Sequence, residues 1–129
     1  MAKTALIIQC DIVAKKCVGY ACMKSFETRT GKFAGLEEGV NYLSTTCGGC
    51  CGMLEDLNRK LKRWGDSKDD VTVYLASCIV SDNYHNPPCP HKEYIKEIVE
   101  RKGYKFISGT YISKTAQKKR EAGIYKPLE

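Results

Sequence analysis

The sequence lacks several features that would place the protein in a membrane or in a nucleotide-dependent enzyme class. No apolar run approaches the roughly 20 residues of a membrane-spanning helix. No signal-peptidase-like site follows the N-terminal residues. Neither a Gly-x-Gly-x-x-Gly nor a Gly-x4-Gly-Lys-Ser/Thr phosphate loop is present, and no arginine follows a cysteine at phosphate-loop spacing. We therefore expect a cytoplasmic protein with no membrane segment, and neither a phosphatase nor a nucleotide-dependent enzyme is favoured.

Positive charge is in excess, but aromatic side chains are not interleaved with it. The formal net charge is +6. Four basic residues near the C-terminus supply much of it: Lys114, Lys118, Lys119 and Arg120. Since basic patches that bind nucleic acid usually combine charge with stacking side chains, we do not expect nucleic-acid binding. We interpret residues 113–129 as a basic extension of a domain spanning 1–112, able to dock an acidic protein partner or a second copy of the chain.

Cysteine is the residue type that the chain has in excess. The 129 residues suit one domain, and 43% hydrophobic residues can bury a normal core without disulfides. Eight cysteines are several times ordinary usage. Because the cytosol keeps thiols reduced, metal binding or redox chemistry is the leading explanation. Burial as small hydrophobes is the alternative for single residues such as Cys22.

Strands and helices alternate along the chain. Four short segments rich in apolar, β-branched or aromatic residues are predicted as strands: Thr4–Gln9, Val40–Ser44, Val71–Ala76 and Tyr104–Ile107. Helical spacing favours two amphipathic helices, with Leu54, Leu57, Leu61 and Trp64 on one face of the first and Tyr94, Ile95, Ile98 and Val99 on one face of the second. A weaker helix is predicted through Met23 and Phe26. The order predicts an α/β three-layer sandwich with a small, mainly parallel four-stranded sheet of Rossmann-like or flavodoxin-like type.

Cysteines stand where predicted strands end. Cys10 follows the first strand, the Cys47-Gly48-Gly49-Cys50 loop follows the second, and Cys78 follows the third. Since the carboxyl ends of parallel strands share one edge of the sheet, these thiols should meet there. The C-x-x-C spacing lets two sulfurs converge on one ion, and a helix beginning near Cys51 would stabilise thiolates. An inert, reduced pair in a tight turn is the alternative.

The cysteine pattern resembles the CGGC-domain family over nearly the whole chain to Tyr111. The resemblance depends on the cysteines above together with Cys17 and Cys89-Pro90-His91. It implies metal binding, with zinc usually suggested, more strongly than it implies any reaction. Two positions depart from the family pattern. Cys51 stands where the family tends to have proline, and Tyr111 stands where it tends to have histidine, so a ligand role for position 111 is not expected.

A sulfur-rich metal centre is the leading functional prediction. The candidate ligands are Cys10, Cys17, Cys47, Cys50, Cys78, Cys89 and His91. We expect Cys47, Cys50 and Cys78 to bind the metal with Cys10 as the fourth ligand, while Cys17 and Cys89 are substitutes. Thiolates select zinc or an iron–sulfur cluster over magnesium or calcium, and both remain open here. The alternative function is a thiol–disulfide oxidoreductase in which Cys47 attacks and Cys50 resolves the mixed disulfide.

Overall fold

The structure, a computed structural model, describes residues 3–10, 17–47, 53–80, 90–111 and 114–123, with the backbone alone at positions 78, 80, 115 and 116. In these residues the strands are β1 (Thr4–Gln9), β2 (Asn41–Thr46), β3 (Val71–Leu75) and β4 (Lys105–Ser108). The α-helices are α1 (Tyr20–Thr28), α2 (Met53–Trp64), α3 (Ser77–Val80), α4 (Lys92–Arg101) and α5 (Lys114–Glu121). Single 3₁₀ turns span Gly31–Phe33 and Lys68–Asp70. None of the helices described has both the length and the apolar character that crossing a membrane requires.

The four strands form one parallel sheet in the order β2-β1-β3-β4. Strand β1 lies inside the sheet, where Thr4 pairs with Asn41 of β2 on one side and Val71 of β3 on the other. The chain first moves from β1 to β2 and then returns past β1 to β3. Strand order therefore reverses beside β1, as in doubly wound folds, and the predicted parallel α/β architecture is confirmed.

Alternating side chains of β1 pack into two separate cores. Leu6 and Ile8 belong to a cluster, here called the lower core, that also contains Leu54 of α2 and Ile95 of α4. Ala5 and Ile7 point the opposite way into the upper core, with Phe26 of α1. Because these strand residues are at most 2% exposed, both faces of the sheet are covered. The helices thus lie in two layers around the sheet, which confirms the three-layer arrangement.

The predicted apolar faces of α2 and α4 are partly wrong. Leu54 is fully buried, but Trp64 is 65% exposed and lies beside the Arg63 guanidinium. Trp64 is the last residue of α2, at the end of the helix away from the buried Leu54. Tyr94 is 52% exposed and lies about 100° around α4 from its buried neighbour Ile95, at the margin of the buried face. Spacings of three and four residues locate a helix more reliably than they locate the margin of its buried face.

One element was not expected from the sequence. The third strand ends at Leu75, and Ser77–Val80 form the short helix α3 instead of leading into a loop. Ile79, in this helix, is 1% exposed and joins the lower core. Its backbone N–H donates to the Ala76 carbonyl at 2.9 Å. Burial of Ile79 under the sheet edge offsets the poor helix propensity of a valine- and isoleucine-rich segment.

Candidate metal centre

Three predicted ligands lie at the carboxyl ends of three neighbouring strands. Cys47 directly follows β2, Cys10 directly follows β1, and Cys78 is the second residue of α3, three positions beyond the end of β3. The strand order places the Cys10 position between the other two. The fold therefore brings together backbone positions that are far apart in the sequence, as the sequence predicted.

Cys10 and Cys47 are matched across the sheet. The Cys47 N–H donates to the Gln9 carbonyl at 3.0 Å, which continues the β1–β2 pairing beyond the last strand residues. Paired positions on neighbouring strands are about 4.8 Å apart. Both cysteines are half-buried free thiols, and both pack against the lower core. Two sulfurs on one tetrahedral zinc ion are about 3.8 Å apart, so this pair of positions suits a shared ion.

A buried hydrogen-bond network ties three elements together beside this edge. The hydroxyl of Thr110, which is fully buried, accepts from the Ser77 N–H at 3.2 Å, and the Thr110 N–H donates to Ser77 Oγ at 3.0 Å. Ser77 Oγ donates to the Tyr111 carbonyl at 2.7 Å. The Cys22 sulfur of α1 lies 3.2 Å from Thr110 Oγ1. These contacts fix the start of α3, immediately before Cys78, against the segment that follows β4.

Cys17 and Cys22 lie on the α1 side of the sheet. The Gly19 N–H donates to the Cys17 sulfur at 3.4 Å, and Gly19 is the residue that precedes the first turn of α1. Burial raises the pKa of the Cys22 thiol, and the nearby Cys17 adds to this, although hydrogen bonds from Thr110 and the Tyr111 backbone oppose the rise. From the sequence, burial as a small hydrophobe was only an alternative for Cys22, and the C-x4-C spacing from Cys17 was the available signal of a pair.

The same two thiols affect the pKa of Tyr42 in β2. Burial raises the pKa of its hydroxyl to about 12, with contributions in the same direction from Cys22 and Cys17 and an opposing hydrogen bond with Ser44. A raised pKa means that the folded protein favours the neutral phenol. Its contribution to stability is complete below the ordinary pKa of 10.0 and is lost as the pH rises through about 12.

When the pH is raised from 10 to 12, we expect the free energy of unfolding to fall less in Tyr42→Phe than in the wild type. The difference should be on the order of 1–2 kcal/mol, after allowance for the partial exposure of the phenol. Urea unfolding at several pH values measures it. Equal losses in the two proteins across this range would show that Tyr42 ionises as readily in the folded chain as in the unfolded one.

Gly19, the residue before α1, lies close to the sheet. Its φ is +80°, and a Cβ there would lie 2.9 Å from Gln9 Nε2. The Gln9 amide cannot move freely, because its Oε1 accepts from Ser44 Oγ at 3.3 Å. Gly39 has the same left-handed conformation, with φ +82°, but nothing lies within 4 Å of the added Cβ.

The two glycines therefore form a matched pair for mutation. We expect Gly39→Ala to destabilise the fold by about 1–2 kcal/mol, the cost of a left-handed alanine. Gly19→Ala should cost about 1 kcal/mol more, because the Gln9 amide has to give up its hydrogen bond. Chemical denaturation of both variants measures the difference. Equal losses would mean that Gln9 moves aside at no cost.

The remaining predicted ligands are less well defined. His91 is exposed at the start of α4 and is not brought to Cys10 or Cys47 by any described contact. Cys50 and Cys89, like Cys51, lie outside the described residues, and the Cys78 side chain is not described. Within the described part of the chain, no three His, Cys, Asp or Glu side chains group together as a metal site. The assignment of individual ligands stays a prediction.

Comparison with known proteins gives one match. A family model described as the CGGC domain matches residues 4–111. No curated protein and no solved structure matches the chain. The matched range contains all four strands and all eight cysteines, and α5 lies beyond it. The division of the chain after residue 112 stays a prediction.

Proposed function

Since this chain belongs to the CGGC-domain family, we propose that it is a metal-binding protein whose cysteine thiolates hold zinc or an iron–sulfur cluster at the carboxyl edge of the sheet. Cysteine richness and family membership support metal binding in general. The choice of metal and the ligand set are finer statements that the proposal adds. A cytoplasmic location, a homo-oligomer and docking of an acidic protein by residues 113–129 remain predictions.

The observation that carries the proposal is the matched placement of Cys10 and Cys47. Their backbones are paired across neighbouring strands, and both side chains pack against the lower core. Both are free thiols, half-buried at the edge of the sheet. Partial burial next to an apolar core gives a thiolate–metal bond a low-dielectric environment on one side and an entry path on the other.

The donor set fits a soft metal. Cysteines outnumber the two histidines four to one, and thiolate sulfur selects zinc or iron–sulfur clusters over magnesium and calcium. Cys78 and Cys50 are the remaining members of the proposed set of four, and Cys17, Cys89 and His91 are the other candidates. Bound zinc would supply a closed, redox-inert centre, whereas a cluster would supply one-electron chemistry.

Anaerobic purification followed by zinc, iron and acid-labile sulfide analysis tests the proposal. We expect close to one zinc per chain, or iron and sulfide in equal amounts with broad visible absorbance from sulfur-to-iron charge transfer. Substoichiometric metal of every kind, with all eight thiols open to titration after unfolding, would refute it. Reduction of insulin disulfides by metal-free protein, lost in Cys47→Ser, would support the oxidoreductase alternative.

A further inference from the structure

The chain carries a second pair of thiols, at the first turn of α1. The Cys17 sulfur accepts the N–H of Gly19, so it is held against the residue that opens the helix. Cys22 is the third residue of α1. One helical turn is about 5.4 Å tall, and Cα–Cβ bonds tilt towards the N-terminus of a helix. The Cys22 side chain therefore leans towards the end of the helix where the Cys17 sulfur is held.

This pair is separate from Cys10 and Cys47, the two thiols that carry the proposed metal centre. Cys10 and Cys47 pack against the lower core, on the side of α2 and α4. Cys22 contacts Thr110 on the α1 side of the sheet. Gly19 approaches the Gln9 side chain on that same side. Because side chains alternate along β1, Gln9 and Cys10 point to opposite faces. The sheet edge thus divides the described thiols into two groups on opposite faces.

We propose that Cys17 and Cys22 form a reversible intramolecular disulfide, a redox modification site distinct from the metal centre. Both are free and half-buried, so a small oxidant can reach them. In the reduced protein, the Cys22 thiol contacts the Thr110 hydroxyl. The left-handed conformation of Gly19 lets the chain between Cys17 and Cys22 bend. The inference assigns Cys17 to this pair and does not depend on metal binding by the other cysteines.

The reaction needs a disulfide oxidant, for which oxidised glutathione is the probe. The Cys17 thiolate attacks one sulfur of the oxidant, forms a mixed disulfide and expels a thiolate. Cys22 then leaves Thr110 Oγ1, gives its proton to that thiolate and attacks the Cys17 sulfur. The second thiolate is expelled as the Cys17–Cys22 disulfide forms. Two electrons pass from the protein pair to the oxidant, which ends as two reduced thiols.

Tryptic peptides separate the two groups of thiols. Cleavage after Lys16 and Lys24 gives a peptide that contains Cys17 and Cys22 and no other cysteine. Cys47, Cys50 and Cys51 share a different peptide, Phe33–Arg59, and Cys10 lies alone in Thr4–Lys15. Full-length protein is equilibrated with reduced and oxidised glutathione, blocked with an alkylating agent, digested and analysed by mass spectrometry. Metal content is measured on the same samples.

We expect the 17–24 peptide to lose alkylation at both cysteines and to become about 2 Da lighter than the reduced peptide, the mass of two hydrogens. Added dithiothreitol should restore alkylation. In Cys22→Ser, the reaction should stop at the mixed disulfide between glutathione and Cys17, since the resolving thiol is missing. Cross-links from Cys17 to another peptide, or full alkylation of both residues while Phe33–Arg59 is oxidised, would overturn the inference, whatever the metal analysis shows.

Discussion

Replacing Cys47 by serine is expected to weaken metal binding by about 100-fold or more, because loss of residues that merely orient a ligand already costs 10–100-fold. Serine leaves the size of the side chain nearly unchanged but replaces a soft thiolate by a hydroxyl that stays protonated at neutral pH. Cys10→Ser should have a similar effect, since Cys10 is the matched position on β1. Competition with a coloured chelator gives the affinities, and circular dichroism checks the fold.

Cys22→Ser is the control for this prediction. It makes the same chemical change on the opposite face of the sheet, and the serine hydroxyl can keep the contact with Thr110. We expect its metal affinity to equal that of the wild type. Full metal content in both Cys47→Ser and Cys10→Ser would place the centre elsewhere. Equal weakening by Cys22→Ser would place both faces in one site.

Truncation of Phe33 to alanine is expected to lower the free energy of unfolding by about 3–5 kcal/mol, a large part of the 5–15 kcal/mol that stabilises an ordinary domain. Phe33 is fully buried in the upper core. Its ring meets Phe26 edge-on, with 5.6 Å between centroids, and is tilted against Tyr74 at 4.6 Å. Alanine would leave a cavity between the sheet and α1 that rigid neighbours cannot fill. Urea denaturation measures the loss.

Trp64→Ala gives the matched comparison, because it removes a larger aromatic side chain that is mostly exposed. We expect it to cost at most about 1 kcal/mol, including its contact with Arg63. Phe33→Leu should cost less than Phe33→Ala, since leucine fills most of the space. Similar losses for Phe33→Ala and Trp64→Ala would contradict the burial of the upper core.

Local pattern was enough to predict the strands and the main helices. The strand predicted from the apolar run Thr4–Gln9 has the same first and last residues as β1. Strand-end positions for Cys10 and Cys47 followed directly, because a parallel sheet puts all carboxyl ends at one edge. Helix α3 could not be predicted, since Ser77–Val80 become helical through burial of Ile79 and not through their own propensity.

Long-range contacts could not be predicted from the sequence. The Cys22 sulfur meets Thr110, 88 residues further along the chain, and nothing near either residue indicates the other. The separation of the thiols onto two faces depends on which way each side chain leaves the sheet edge. Residues beyond a strand no longer follow its strict alternation, so the sequence could not show that Cys10 and Cys47 lie on one face and Cys17 and Cys22 on the other.

The central position of β1 also governs when the thiols can meet during folding. Thr4 has to pair with residues as distant as Asn41 and Val71, so every contact that unites the cysteine-bearing strand ends is non-local. Folding that depends on such non-local strand pairing is slow compared with forming helices. Parallel strands offer no hairpin intermediate that could bring two ends together early. The ends of β1, β2 and β3 that carry Cys10, Cys47 and Cys78 therefore come together only when the β2-β1-β3 pairing is complete.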